Sequence, residues 1–132
     1  MKYLLMMHEP HGTGDYDIYS WSPEDFRAHM EHLERINREL VEAGEWVEVR
    51  ALTPPGQAKL VRAGERGEPV TDGPFPEAKE FLAGFWVVDV ETPERAFEIA
   101  AMASAAPGPG GAPLRMAIEV RQVMSGGAPS EA

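Results

Sequence analysis

Residues 2–7 form an apolar run without helical spacing, closed by a Pro- and Gly-containing stretch, which predicts a buried strand ending at His8. Residues 8–21 carry two Gly, one Pro, two Asp and two Tyr and have no core face, so they read as a long loop with enough aromatic surface to cover something. Ser22-Pro23-Glu24-Asp25 then opens a helix: a hydroxyl cap, a proline in the first turn, and acids near the positive end of the helix dipole. Phe26, Met30, Leu33, Ile36, Asn37 and Leu40 recur at three- and four-residue steps, charged residues fill the other face, and Gly44 is placed to end the helix.

Residues 46–50 are β-prone before Thr53-Pro54-Pro55-Gly56 breaks the run. Residues 57–62 and 69–71 fit a hairpin across Gly64-Glu65-Arg66-Gly67, and residues 81–90 are the most strand-like of the chain. Thr92-Pro93-Glu94 repeats the cap-and-proline signal for a second helix reaching Ser104, residues 105–113 form a Pro-Gly hinge, and residues 114–123 alternate Met116, Ile118 and Val120 against Glu119 and Arg121. The order predicts an α+β fold: a ferredoxin-like βαββαβ plan with an inserted hairpin, in one domain over residues 1–124, with a frayed tail at 125–132. Two helices cover one sheet face, and an apolar second face needs a partner, so a homodimer packed sheet against sheet is expected.

Composition narrows the function. Among 132 residues, 22 acids against 12 bases give a net charge of −10. A phosphate backbone or anionic lipid would be repelled, so neither nucleic acid nor membrane is an expected partner. No cysteine is present, which removes thiol nucleophiles, thiolate zinc sites and disulfide frameworks. The apolar start is too short for a signal-peptide core, which points to the cytoplasm. His8-Glu9-Pro10-His11, near Asp15 and Asp17, lacks the four-residue helical step of a metalloprotease motif, so no metal is expected. The Gly108-Pro109-Gly110-Gly111 segment lacks the Lys and hydroxyl of a phosphate loop, and no GxSxG elbow occurs, so no cofactor is expected either.

Candidate chemistry rests on few side chains. On a helical projection His29 falls about 40° from the centre of the apolar stripe and His32 about 100°. His29 therefore leans towards the sheet, either as a general base or substrate partner, or as a core histidine satisfied by a carbonyl. His32 sits at the boundary. Asp72 opens an Asp-Gly-Pro turn, where it caps the turn or serves as a catalytic carboxylate paired with His29. Glu80, with Glu77 and Lys79, stands at a strand entry and can face a pocket or solvent. His8 ends the first strand, and Tyr16, Tyr19 and Trp21 beyond it fit a lid over a pocket mouth or a cover for a sheet edge. Arg121 pairs with Glu119 across a barrel interior or at the surface. Phe85 and Trp86 read as core or dimer contacts; with His8, His32, Glu80 and Arg121, Trp86 completes the candidate substrate-binding set.

The run Asp72-Gly73-Pro74-Phe75-Pro76-Glu77-Ala78-Lys79-Glu80 resembles the DGPF group of the YCII-related family. The resemblance continues at Ala83-Gly84-Phe85-Trp86, at residues 118–123 and at residues 1–6. Ala78 departs from the hydroxyl residue usual there, and the 8–21 loop is longer and richer in His and Tyr than is typical. The resemblance implies a dimeric α/β barrel with a pocket between helix and sheet. It also implies kinship with small-ring lyases or dehydrochlorinases that use a His and Asp pair, and with proteins that accompany sigma factors. Two functions follow as expectations. One is a dimer that binds a small polar molecule, with His29 and Asp72 in cofactor-independent acid–base chemistry. The other is a non-catalytic module whose acidic surface meets a sigma-factor partner.

Overall fold

The computed structural model describes residues 1–10, 18–72 and 80–124. Its regular elements are strand β1 (Lys2–Pro10), helix α1 (Pro23–Glu42), strands β2 (Trp46–Ala51), β3 (Leu60–Ala63), β4 (Pro69–Asp72) and β5 (Glu80–Asp89), helix α2 (Pro93–Ser104) and strand β6 (Ile118–Gln122). Four strands form an antiparallel sheet in the order β2-β5-β1-β6, while β3 and β4 pair only with each other as a separate two-stranded sheet. The fold is thus mixed α+β, with both sheets open. No helix among the described residues is long and apolar enough to cross a membrane.

Both helices start as their sequences dictate. The Ser22 hydroxyl accepts from the Asp25 amide (3.2 Å) and the Thr92 hydroxyl from the Arg95 amide (3.2 Å), each with a proline in the first turn where no donor is missed. At the far end of α1, Gly44 takes φ +73°. This left-handed residue lets the Gly44 and Glu45 amides reach back to the carbonyls of Val41 (3.2 Å) and Leu40 (2.9 Å). Glu45 then fixes the start of α2, because its carboxylate accepts from Nε and Nη2 of Arg95 at 2.9 Å each. That paired geometry raises the Arg95 pKa above its already high ordinary value, chiefly through the Glu45 bond.

The core lies between the four-stranded sheet and the two helices. Tyr3, Leu5 and Met7 of β1 and Trp86 and Val88 of β5 point inward, against Ile36 and Leu40 of α1 and Ala96, Ile99, Ala100 and Ala103 of α2. Three of the four inward residues on α2 are alanines, which lets this helix lie close to the sheet. Gly84 serves the same closeness on the sheet: a side chain there would meet the Arg50 carbonyl at 2.8 Å. Alternate residues face the other way. Leu4 and Met6 stand opposite Val87 and Phe85, flanked by Glu119 and Arg121 on β6 and by Glu48 and Arg50 on β2.

Four expectations change. β1 does not end at His8 but runs to Pro10, because a bulge at Ala83 on β5 absorbs the irregularity and leaves the β1 alternation intact. The hairpin begins at Leu60 rather than at Gln57, which lies in a 3-10 turn at Pro55–Gln57. β6 begins at Ile118, not at residue 114, because Arg115 takes φ +57°, and the Leu114 and Arg115 amides bond back to the carbonyls of Ala106 and Ser104. Phe26, counted in the apolar stripe of α1, is 39% exposed; the inward line of the helix runs instead through His29, Ile36 and Leu40. The tail at 125–132, His11, Asp15, Tyr16, Asp17 and the turn 73–79 lie outside the described residues.

Candidate functional site

Glu9 and His29 are the buried polar or charged residues of the described chain, 7% and 3% exposed. Glu9 continues the inward series Tyr3, Leu5, Met7 at the end of β1. His29 lies in the second turn of α1. Their relative level follows from an anchor. The Trp86 indole N–H donates to Asn37 Oδ1 (2.9 Å), and Trp86 stands opposite Leu5. His29 precedes Asn37 by eight residues, about 12 Å of helix; Glu9 follows Leu5 by four, about 13 Å of strand. The Asp89 amide bonds the Glu45 carbonyl (2.8 Å), which puts the end of α1 beside the Lys2 end of β1, so helix and strand run in opposite directions. Glu9 and His29 therefore come level on the same side of the sheet.

His29 is held in one tautomer. Its Nδ1 lies 3.0 Å from the Pro107 carbonyl, which can only accept, so Nδ1 carries the hydrogen and the lone pair of the neutral ring sits on Nε2. Burial pushes its pKa below the ordinary 6.5; the bond to Pro107 counters this in part, and the neighbouring His32 lowers it further. The ring is therefore neutral at pH 7. Trp21 meets it edge to face, with centroids 5.2 Å apart and planes at 81°. Nearby, the Gly110 amide donates to Asp25 Oδ2 (3.4 Å), tying the first turn of α1 to the same 105–113 segment that carries Pro107.

The remaining candidates are dispersed. His32 donates from Nε2 to the Met102 carbonyl (2.8 Å) and joins α1 to α2. Trp86 is buried, with its indole N–H spent on Asn37. His8 lies on the opposite sheet face, where Nε2 is 3.3 Å from Glu119 Oε1, near enough to pair as a cation but in a geometry that makes no hydrogen bond. Arg121 is on that face too, its side chain 72% exposed and 3.9 Å from Glu119. Asp72 and Glu80 are exposed at the end of β4 and the start of β5. The groups that shift the titration of His29 are Pro107 and His32; neither Asp72 nor Glu9 is among them. Among the described residues no three metal-ligating side chains converge.

Sequence reasoning missed Glu9 as a site residue, having grouped it with His8 and His11. The signal was present in the alternation Tyr3-Leu5-Met7-Glu9, which places an acid at the end of an otherwise apolar inward series.

The YCII-related domain model matches residues 1–110, five-sixths of the chain and all of the elements that carry Glu9, Trp21, His29 and Pro107. The chain belongs to the YCII-related family. An uncharacterised protein of Rhizobium meliloti (strain 1021) is 36% identical over 81 residues, 61% of this chain. The match spans 65% of that relative, a little under two thirds of its length. Within the YCII-related family this chain therefore offers a buried imidazole and a buried carboxylate as the residues on which a function can be built.

Proposed function

We propose that this YCII-related protein binds a small polar molecule between α1 and the sheet and that His29 acts on it as a general base. The observation that carries this reading is the state of His29: buried, neutral, fixed through Nδ1 and with its lone pair on Nε2. A base needs its lone pair free of a proton at working pH, and a depressed pKa supplies that condition. Asp72, exposed at the end of β4, is one candidate carboxylate partner, and Glu9, buried on the helix-covered side of the sheet, is a second. The chemistry that suits the pair is cofactor-independent proton transfer of the lyase or dehydrochlorinase kind.

The assembly belongs to the same proposal. Strand order β2-β5-β1-β6 with two helices on one face supports a ferredoxin-like protomer. Leu4, Met6, Phe85 and Val87 form an apolar strip on the second face, and pairing it with a second copy would make a dimeric α/β barrel.

The test is a thermal-shift screen of the purified protein against small polar metabolites, since a ligand that binds the folded state raises its stability by RT ln(1 + [L]/Kd). A stabilising compound whose effect is lost in both His29→Gln and Glu9→Gln supports the reading. Stabilisation that survives both substitutions, or no stabilisation by any compound, overturns it and leaves the acidic surface, at net charge −10, as the feature through which a sigma-factor partner would be met.

A further inference from the structure

The indole of Trp21 poses a question that the folded chain leaves open. Its Nε1 is fully buried and has no hydrogen-bond partner among the described residues. Buried donors are almost always satisfied, and an unmet one is destabilising. The indole of Trp86, by contrast, is satisfied by Asn37. The Trp21 ring is in edge contact with the one imidazole already argued to act as a base. It also sits at a junction: the Trp21 backbone amide bonds Ile18 (3.4 Å) on one side, and Ser22 caps α1 on the other. The residue as a whole is half-buried, so part of the ring reaches the surface while its donor does not.

From this juxtaposition we infer that the Trp21 indole N–H is the donor that receives the oxygen of an enolisable carbonyl substrate, while His29 Nε2 takes the proton from the adjacent carbon. The inference rests on the reading of His29 as a base and adds the substrate class. The step balances within the substrate and the ring. The α C–H bond breaks and its proton forms an N–H bond at Nε2; the electron pair left behind forms a C=C bond; the carbonyl π pair moves onto oxygen. That oxygen then carries the new negative charge, and a donor aimed at it from a water-poor setting stabilises the enolate more than the ketone. The imidazolium left behind keeps its Nδ1 bond to Pro107.

Trp21→Phe isolates the claim, because it keeps an aromatic ring against His29 and removes only the donor. The probes are pyruvate, which has a carbonyl beside acidic C–H bonds, and acetate, which has the carboxylate alone. The readouts are the 15N–1H indole resonance of Trp21, assigned by its loss in the variant, and exchange of the pyruvate methyl protons in D2O. Support is a saturable shift of that resonance with pyruvate but not acetate, together with exchange that falls at least tenfold in Trp21→Phe at unchanged Tm. Exchange that survives in Trp21→Phe and is lost in His29→Gln overturns the role of Trp21 and leaves the general base standing. Equal shifts with pyruvate and acetate overturn the carbonyl class. No shift and no exchange with the wild-type protein overturn the inference, and the metabolite screen then decides separately whether His29 binds anything.

Discussion

At the scale of single residues, His29 couples acid–base chemistry to stability. In the unfolded chain an imidazole titrates near 6.5; in the fold, burial holds His29 below that. Above pH 6.5 both states are neutral there and the residue contributes its full share. As pH falls through 6.5 the unfolded chain takes the proton first, so stability declines until the lower folded pKa is reached and then levels off. Urea unfolding at pH 7.5 and 5 is expected to show this loss, and His29→Gln, which can still donate to Pro107, is expected to lose less over the same interval. An equal loss in both proteins would remove His29 from the account. Trp86 gives a complementary case. Trp86→Phe removes the hydrogen bond to the half-buried Asn37 carbonyl oxygen and is expected to cost about 0.5–1.5 kcal/mol in chemical denaturation, the range for a lost intramolecular hydrogen bond.

Elements show how much of the protein was legible. Ser22→Ala and Thr92→Ala are each expected to destabilise by about 0.5–2 kcal/mol, measured by the urea midpoint, because each hydroxyl satisfies an otherwise orphaned amide. Both helices could be read for that same reason: cap, proline and apolar spacing are local chemistry. The Gly64–Gly67 turn made the β3–β4 hairpin legible in the same way. What escaped was set by neighbours. The start of β6 depends on Arg115 at φ +57°, which no composition signals, and the reach of β1 depends on a bulge carried by its partner. At the site, His29 was visible from its helical phase, whereas Glu9 needed the strand to continue past His8. Gly84 makes a further test of strand register. Gly84→Ala forces a Cβ to within 2.8 Å of the Arg50 carbonyl, so β2 has to move, at about 1–3 kcal/mol.

For the whole molecule, charge and shape divide the surface. If the apolar strip of Leu4, Met6, Phe85 and Val87 is the seam of the proposed dimer, Phe85→Lys places an unpaired ammonium in it. The expected outcome is a monomer by light scattering after size exclusion where the wild type is a dimer; equal masses would refute the seam. The hairpin of β3 and β4 has a different consequence. All eight of its strand residues are exposed, including Leu60, Val61 and Val70, and its ladder joins no other strand among the described residues. Two strands without a packed face are marginal in water. Its amides are therefore the ones to exchange first with deuterium, at an opening free energy far below that of β1 and β5, and a protease would find this part of the chain while the helices and the main sheet remain intact.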